Sequence, residues 1–562
     1  MVLTDDELRK LLVDNRFVTP QIWAEISRYA RTSDIGIDEA LVERNIFSEE
    51  DLGKLSAAYL KFPFVILSKA TIPEELFRLI PERVARRLKV VAFSQDRDGI
   101  KIAMRDPRNG EFIEMLAKKT GQKIIPYLAS GRDISKTFQI YKKDLQKLFD
   151  ELTRTASLGK TVHLALDEAP IMKIVDLLIE SAYEDKASDI HIEPQETSSL
   201  VRFRIDGILH DVLTAPSNLH DRIVTRIKVL SRLRTDEHLS AQDGKMQAKL
   251  EEENLDIRVS IIPIADGEKV VLRLLSSRSR QYSLSDLGME DEDLKKVTNA
   301  FTKSYGMILS TGPTGSGKTT SIYSILKILN TREKNITTIE DPVEYRIKGV
   351  NQIQVNTKTN LTFANGLRSI LRQDPNIIFV GEIRDAETAA IAVNAALTGH
   401  LVLSTLHTND AATALPRLVD MGVEQFLVAS TVNVIIAQRL MRKICDVCKT
   451  ETHLDRSDLL QHLPAEIITK YFGSRTSLTV FEGKGCKICR NTGYTGRVGI
   501  FEVLEVSKEI KKLIAKKADS DEIIKQALSE GMLTMLDDGL KKVAKGVTTI
   551  GEVLRVTKVE SL

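Results

Sequence analysis

The sequence predicts a multidomain α/β protein, and three observations carry that prediction. At 562 residues the chain exceeds what one hydrophobic core usually supports, so three or four domains are expected. Downstream of about Asp286 the apolar segments GMILST, NITTIE, NIIFVG and HLVLST each run into turn residues and then helical sequence, the alternation of a mostly parallel sheet. Between the first of those strands and its helix lies a glycine-rich loop, GPTGSGKT, which sets chemistry at the carboxyl ends of the strands.

Composition narrows the class. Hydrophobic residues are 42% and charged residues 28%, as in ordinary packed proteins. Lys and Arg number 80 against 78 Asp and Glu, so no global positive field draws the chain to nucleic acid. A single Trp leaves little for base stacking, and no nucleic-acid partner is expected. MVLTDDELRK has no apolar signal core and no run of 18 apolar residues follows, so a cytoplasmic chain is expected.

Residues 1–60 contain a weak repeat: LVDNRFVTPQIW from Leu12 and LVERNIFSEEDL from Leu41 share their opening, their central apolar residues and then Thr19 or Ser48. Two similar helical hairpins are implied. Thr19 before Pro20 reads as an N-cap with proline at the first helical position, and Ser48 with Asp51 resembles a capping box. Residues 61–145 alternate short apolar runs (LKVVAF, GIKIAM) with helical sequence, a small α/β domain. Residues 146–168 read as a linker. Residues 169–285 open with a helix, IMKIVDLLIESAYEDKA, followed by strand-like SLVRFRID, ILHDVL, LDIRVSII and KVVLRLL, a second α+β domain. Residues 286–562 hold the parallel sheet, with an insertion over 441–500.

The loop residues Gly312, Pro313, Thr314, Gly315, Ser316, Gly317, Lys318 and Thr319, with Thr320 following, match the phosphate-loop pattern with a strand before and an apolar helix after. Glycines let backbone N–H groups point at phosphate oxygens, and the helix adds its positive end. Lys318 is expected to bridge β- and γ-phosphates and Thr319 to ligate Mg²⁺, with ATP or GTP as the nucleotide. Hydrolysis also needs a positioned water. Glu340 follows the strand Ile336 to Ile339, and Glu382 follows IIFVG, so each is a carboxylate at a strand end. His400 and His407 flank HLVLSTL. All four cysteines form two C-x-x-C pairs, Cys445 with Cys448 and Cys486 with Cys489, which suits tetrahedral Zn²⁺; unliganded thiols or a redox pair are the alternatives. The long separation between the pairs predicts a helical insertion, SDLLQHLPAEIITKYF.

GPTGSGKT, TTIEDPVEY, LRQDPNIIFVGEIRD and TGHLVLSTLHTND, in this order, resemble the Walker A, Asp box, Walker B and His box of the bacterial secretion-traffic ATPases. The resemblance extends upstream through ASDIHIEP, VRFRIDG and DIRVSIIPIADGEKVVLRLL and downstream through the cysteines and TGYTGRVGIFEVL, covering roughly residues 60–562. It implies a RecA-like motor domain preceded by a PAS-like domain, a homo-hexameric ring, ATP with Mg²⁺, and a tetracysteine Zn²⁺ element. It implies Glu382 as general base with Glu340 assisting at Mg²⁺ or water, the sequence not ranking the two, and His400 and His407 near the γ-phosphate. Arginines of the PAS-like domain are brought onto the phosphates in such proteins, and Arg202, Arg204 and Arg226 occupy the matching stretches. It further implies work at the inner membrane, reached through partners: an inner-membrane platform protein, and an assembly protein met by the N-terminal region. The expected function is type IV pilus assembly, with type II secretion as the alternative. Cyclic di-GMP-binding versions of the N-terminal module carry Arg-Leu-Gly where this chain reads LRKLLVDN and GIDEALVERN, so partner docking is the expectation there.

Overall fold

The computed structural model describes residues 3–557 apart from 34, 45, 68–69, 71, 78, 139–144, 159–167, 251–252, 277–282 and 487. They form two compact units, residues 1–137 with 282–562, and residues 138–281.

In the N-terminal module, helices Asp5–Arg9, Pro20–Ser33, Ile37–Glu43 and Glu49–Leu60 pack around Leu12, Trp23, Ile26, Leu41 and Leu52. The repeat is real in the backbone: the amides of Phe17 and Val18 donate to Leu12 O, and those of Ile46 and Phe47 to Leu41 O. Both caps form, Thr19 accepting from the Ile22 amide at 3.3 Å and Ser48 from Asp51 at 3.1 Å. A three-stranded sheet follows, β1 (Val90–Asp96), β2 (Gly99–Met104) and β3 (Ile124–Leu128), with helix Gly110–Thr120 crossing over between the parallel β2 and β3.

The second unit differs from expectation at its start. Residues 146–158 of the expected linker belong to the helix Leu145–Leu158, whose Phe149 is buried in this unit's core, and 159–167 lie outside the described residues. Its antiparallel sheet comprises β4 (Asp189–Pro194), β5 (Ser198–Ile205), β6 (Ile208–Pro216), β7 (Gln242–Lys249), β8 (Asn254–Ile264) and β9 (Gly267–Leu275) in the order β6-β5-β4-β9-β8-β7. Ile190, Ile192, Val201 and Phe203 face the helices Glu168–Glu184 and His220–Leu230, with which they share one apolar core. Period-two alternation puts Asp189, His191, Glu193, Arg202 and Arg204 on the opposite face.

The larger sheet of the first unit contains β10 (Gly306–Thr311), β11 (Ile336–Glu340), β12 (Asn351–Gln354), β13 (Ile377–Val380), β14 (Leu401–Leu406), β15 (Val432–Ile444) and β18 (Tyr494–Glu505), in the order β12-β11-β13-β14-β10-β15-β18. β10 through β15 pair in parallel, and β18 runs antiparallel to β15. Helices cover both faces, so β10, β13 and β14 are buried along their whole length. A hairpin of β16 (Lys449–Asp455) and β17 (Ser477–Gly483) lies between β15 and β18. The two short helices between these strands, Arg456–Leu459 and Ala465–Phe472, fall on the segment expected to be helical.

Candidate functional site

β10 lies between β14 and β15, and the chain leaves its carboxyl end as the phosphate loop. β15 runs directly behind that loop. A Cβ on Gly312 (φ +141°) would come 2.5 Å from Gln438 O, and one on Gly317 (φ +91°) would come 3.0 Å from Gln438 Nε2. Glycine is required there by both conformation and space. Pro313, Thr314 and Gly315 are exposed, Ser316 is buried, and Thr319 and Thr320 sit half-buried in the first turn of helix Lys318–Leu329. Lys318 is 9% exposed and folds over the loop, donating to Gly312 O at 2.6 Å and Pro313 O at 3.2 Å. Burial pulls its pKa down, and the nearby Glu382 carboxylate opposes that. Ser316 Oγ is buried with no partner among the described residues. A buried orphan hydroxyl, a curled glycine backbone and a desolvated lysine at a helix start fit a phosphate group.

Gln438 holds this cradle in place. It is 2% exposed and donates from Nε2 to Ser316 O at 2.8 Å. Gln438→Ala is expected to leave Ser316 O unmatched and the loop free to open, raising KM for ATP about tenfold, a cost of about 1.4 kcal/mol, with kcat little changed. Steady-state kinetics decide this, and an unaltered KM would mean the loop holds its shape without the contact.

Two residues past β13, Glu382 accepts from Arg384 Nε at 2.7 Å, and His407 Nε2 lies 3.2 Å from the same oxygen. The turn carrying Glu382 is pinned because the Gly381 amide donates to Ile339 O and Thr405 Oγ1 donates to Gly381 O, each at 2.7 Å. His407 directly follows β14. Its neighbour Thr408 accepts and donates with Thr311 Oγ1 at the entry to the phosphate loop, and further on the Ala411 amide donates to Glu502 Oε1 at 2.9 Å. Burial pushes the Glu502 carboxyl up to about 7. Lys318, Glu382 and His407 are therefore gathered at the carboxyl ends of three neighbouring strands.

Two expected residues are placed elsewhere. Glu340 ends β11 but is 2% exposed, and Tyr323 and Thr338 hydroxyls and the Gln352 amide donate to its carboxyl. Burial raises its pKa. The Glu340 carboxyl is thus engaged by three donors, whereas Glu382 meets Arg384 and His407. His400 precedes β14, at the amino end of the sheet, where its carbonyl accepts from Gly306 and Nδ1 contacts Ala395 O at 3.0 Å. Five residues of parallel strand, about 17 Å, separate that end from the phosphate loop. Proximity to the γ-phosphate within the chain is excluded for His400.

In the second unit, Arg202 pairs with Glu193 at 2.7 Å, while Arg204 is 3.5 Å from Asp189 and donates to Gly207 O at 3.3 Å. Arg226 lies on helix His220–Leu230, which covers the apolar face, half-buried with Nε lacking a partner among the described residues. The expected trio is thus split between the two faces. Arg384, Gln438 and Glu502 escaped the sequence reading. The signal existed for the latter two, each a polar residue inside a largely apolar strand, VNVIIAQRL or VGIFEVL.

β15 ends at Ile444 and Cys445 follows, while Cys489 lies shortly before β18. The Sγ atoms of Cys445, Cys448, Cys486 and Cys489 all lie within 4.8 Å of one another. Cys445–Cys486 and Cys448–Cys489 are 3.8 Å apart and Cys486–Cys489 3.7 Å. A tetrahedron with about 2.3 Å Zn–S bonds has edges of about 3.8 Å. Amides of Cys486 and Gly493 donate to Cys489 Sγ at 3.1 and 3.3 Å, as around thiolate ligands. The donor set fits zinc in a closed shell.

The family described as type II/IV secretion system protein matches residues 165–555, and an MshEN domain matches 60–147. The type IV pilus assembly ATPase PilB of Myxococcus xanthus is 37% identical over 97% of this chain and 98% of its own length. Type II secretion system protein E of Pseudomonas aeruginosa is 45% identical over 74% of this chain and 80% of its own. Among solved structures, the Legionella pneumophila ATPase DotB shares the fold with a TM-score of 0.52 at 22% identity, covering 69% of this chain and 95% of that one. With the phosphate cradle, its carboxylate and its histidine assembled on a RecA-like sheet, the chain belongs to the type II/IV secretion system protein family of ATPases.

Proposed function

We propose that this chain hydrolyses ATP, as a ring of six, to drive assembly of a type IV pilus through an inner-membrane platform protein. The observation that carries the hydrolytic reading is the convergence of Lys318, Glu382 and His407 on one end of the sheet. Glu382 orients the attacking water, with Mg²⁺ held at Thr319 and supplying charge neutralisation when bound. Lys318 leaves the loop carbonyls for the phosphates, and His407, hydrogen-bonded to Glu382, fixes the carboxylate's direction. Zinc fits the tetracysteine centre as a structural ion. The pilus reading is favoured over type II secretion because the likeness to PilB runs through the N-terminal module. Among the described residues no helix is long and apolar enough to cross a membrane, so membrane association through partner proteins, with the N-terminal region meeting an assembly protein, accords with the chain.

Arginines of the PAS-like unit complete the charge shell in this reading. Arg204, held more loosely than Arg202, is the better placed to be redirected. Arg204→Gln is expected to lower kcat about 10³-fold or more with nucleotide affinity nearly kept. Phosphate release and nucleotide titration of the purified chain test this, together with loss of surface pili, and not of secretion, when the gene is disrupted. Turnover at parental rate in Arg204→Gln removes that arginine from the reaction, and intact pili in the disrupted strain refute the pilus reading.

A further inference from the structure

In the N-terminal repeat, Asn15 of the first half corresponds to Arg44 of the second. Asn15 Nδ2 donates to Leu11 O at 2.9 Å, finishing its own helical turn. Arg44 instead reaches out of the module. Nη1 donates to Ile328 O and Nη2 to Asn330 O at 3.1 Å, both at the carboxyl end of helix Lys318–Leu329. The guanidinium lies 4.2 Å over the Tyr29 ring, Glu25 is 3.8 Å away, and 6% of the side chain is exposed. Arg28 and Glu333 meet at 3.0 Å beside it, an exposed pair of small weight.

The last carbonyls of a helix have no intrahelical donor and carry its negative end. A planar, permanently charged fork matches two such carbonyls, and stacking on Tyr29 fixes its aim. The helix it closes begins with the phosphate-loop lysine, about 18 Å away along 12 residues. One rigid element thus presents one end to phosphate and the other to the N-terminal module.

We propose that the N-terminal module docks on its own chain's motor domain through Arg44, as the carboxyl-terminal cap of the phosphate-loop helix, and that this contact couples occupancy of the module to occupancy of the phosphate loop. The coupling is reciprocal: whatever draws the module away alters nucleotide affinity, and nucleotide alters the hold on the module. The docking half stands on the contact alone; the coupling half rests on the nucleotide reading above.

Hydrogen exchange of the full chain tests both. Without nucleotide, Arg44→Ala is expected to speed exchange at least about fivefold in residues 326–332 and in helix Pro20–Ser33, and Arg44→Glu more, with helix Ala386–Leu397 unchanged. Arg44→Lys, which keeps charge but loses the fork, falls between. Unchanged exchange in Arg44→Ala and Arg44→Glu, or a rise spread evenly over the motor sheet, overturns docking. With Mg²⁺ and a nonhydrolysable ATP analogue, the parent is expected to change exchange in helix Pro20–Ser33 and Arg44→Ala is not. Protection of 312–319 in the same data reports binding itself, so an analogue that protects the loop but leaves the module unaffected overturns the coupling, whereas failure to protect the loop overturns the ATP reading and leaves docking decided by the nucleotide-free comparison.

Discussion

A Glu382→Gln chain folds, binds nucleotide and releases phosphate from ATP about 10²- to 10⁴-fold more slowly than its parent, the loss expected when a positioned base is neutralised. The geometry sets this effect apart from that of its neighbours. Glutamine at 382 keeps a carbonyl oxygen for Arg384 and stays in the pinned turn after Gly381, so only the charge toward water is removed. Lys318→Ala, by contrast, removes the group that answers the phosphate charge, and both affinity and turnover fall. Glu340→Gln is expected to act through stability: an amide nitrogen facing the Gln352 amide sets two donors together in a buried network and costs about 1 to 3 kcal/mol, seen as a lower Tm. Measuring phosphate release at saturating Mg-ATP beside thermal unfolding separates the three. Parental turnover in Glu382→Gln would be fatal to the assignment.

The purified chain is expected to carry one zinc ion per protomer, and Cys445→Ser to lose it. Structural zinc bound by four thiolates contributes about 10 to 16 kcal/mol in small domains, so one ligand's share is about 3 kcal/mol or more, at least a hundredfold in affinity. The four thiols are crowded and, in Cys448, burial together with the nearby Cys445 holds the pKa up. A cation is what lets such a group persist as thiolates. Without it the hairpin β16–β17 is expected to open to protease, while β15 and β18 stay joined beyond Arg442, whose guanidinium meets Glu552 at 2.6 Å and lies over Tyr494. Elemental analysis and limited proteolysis check this; stoichiometric zinc surviving chelator dialysis in Cys445→Ser would leave the thiol without its role.

Four strands of the motor sheet, β10, β11, β13 and β14, were legible because they are buried along their whole length and read as mostly apolar runs. β4 and β7 were not: DIHIEP and QDGKMQAK carry charged residues on a face that the structure leaves polar, so no run signals them. The linker reading failed for Leu145–Leu158 because an amphipathic helix with few boundary residues looks like featureless sequence until Phe149 finds a core. At the site, the phosphate loop and Glu382 were legible as residue types at strand ends. His400 and His407 were legible at opposite ends of one strand, and the place of His400 near the γ-phosphate rested on the resemblance alone. Gln438 stood out in sequence as a polar residue in a largely apolar strand, but its partner Ser316 O lies 122 residues away, and such pairing leaves no local mark.

The Arg44 contact also dates itself. The carbonyl of Asn330 lies 286 residues further along the chain, and ribosomes add about 5 to 20 residues each second, so on the order of 15 to 60 s pass before the second half of this joint exists. In that interval the helices around Trp23 and Leu41 have their own core, and residues 138–281 emerge and fold as a separate unit. The first part of the protein to be made is thus among the last to find its seat, and a nascent chain halted before the phosphate-loop helix carries that arginine without the two carbonyls it caps.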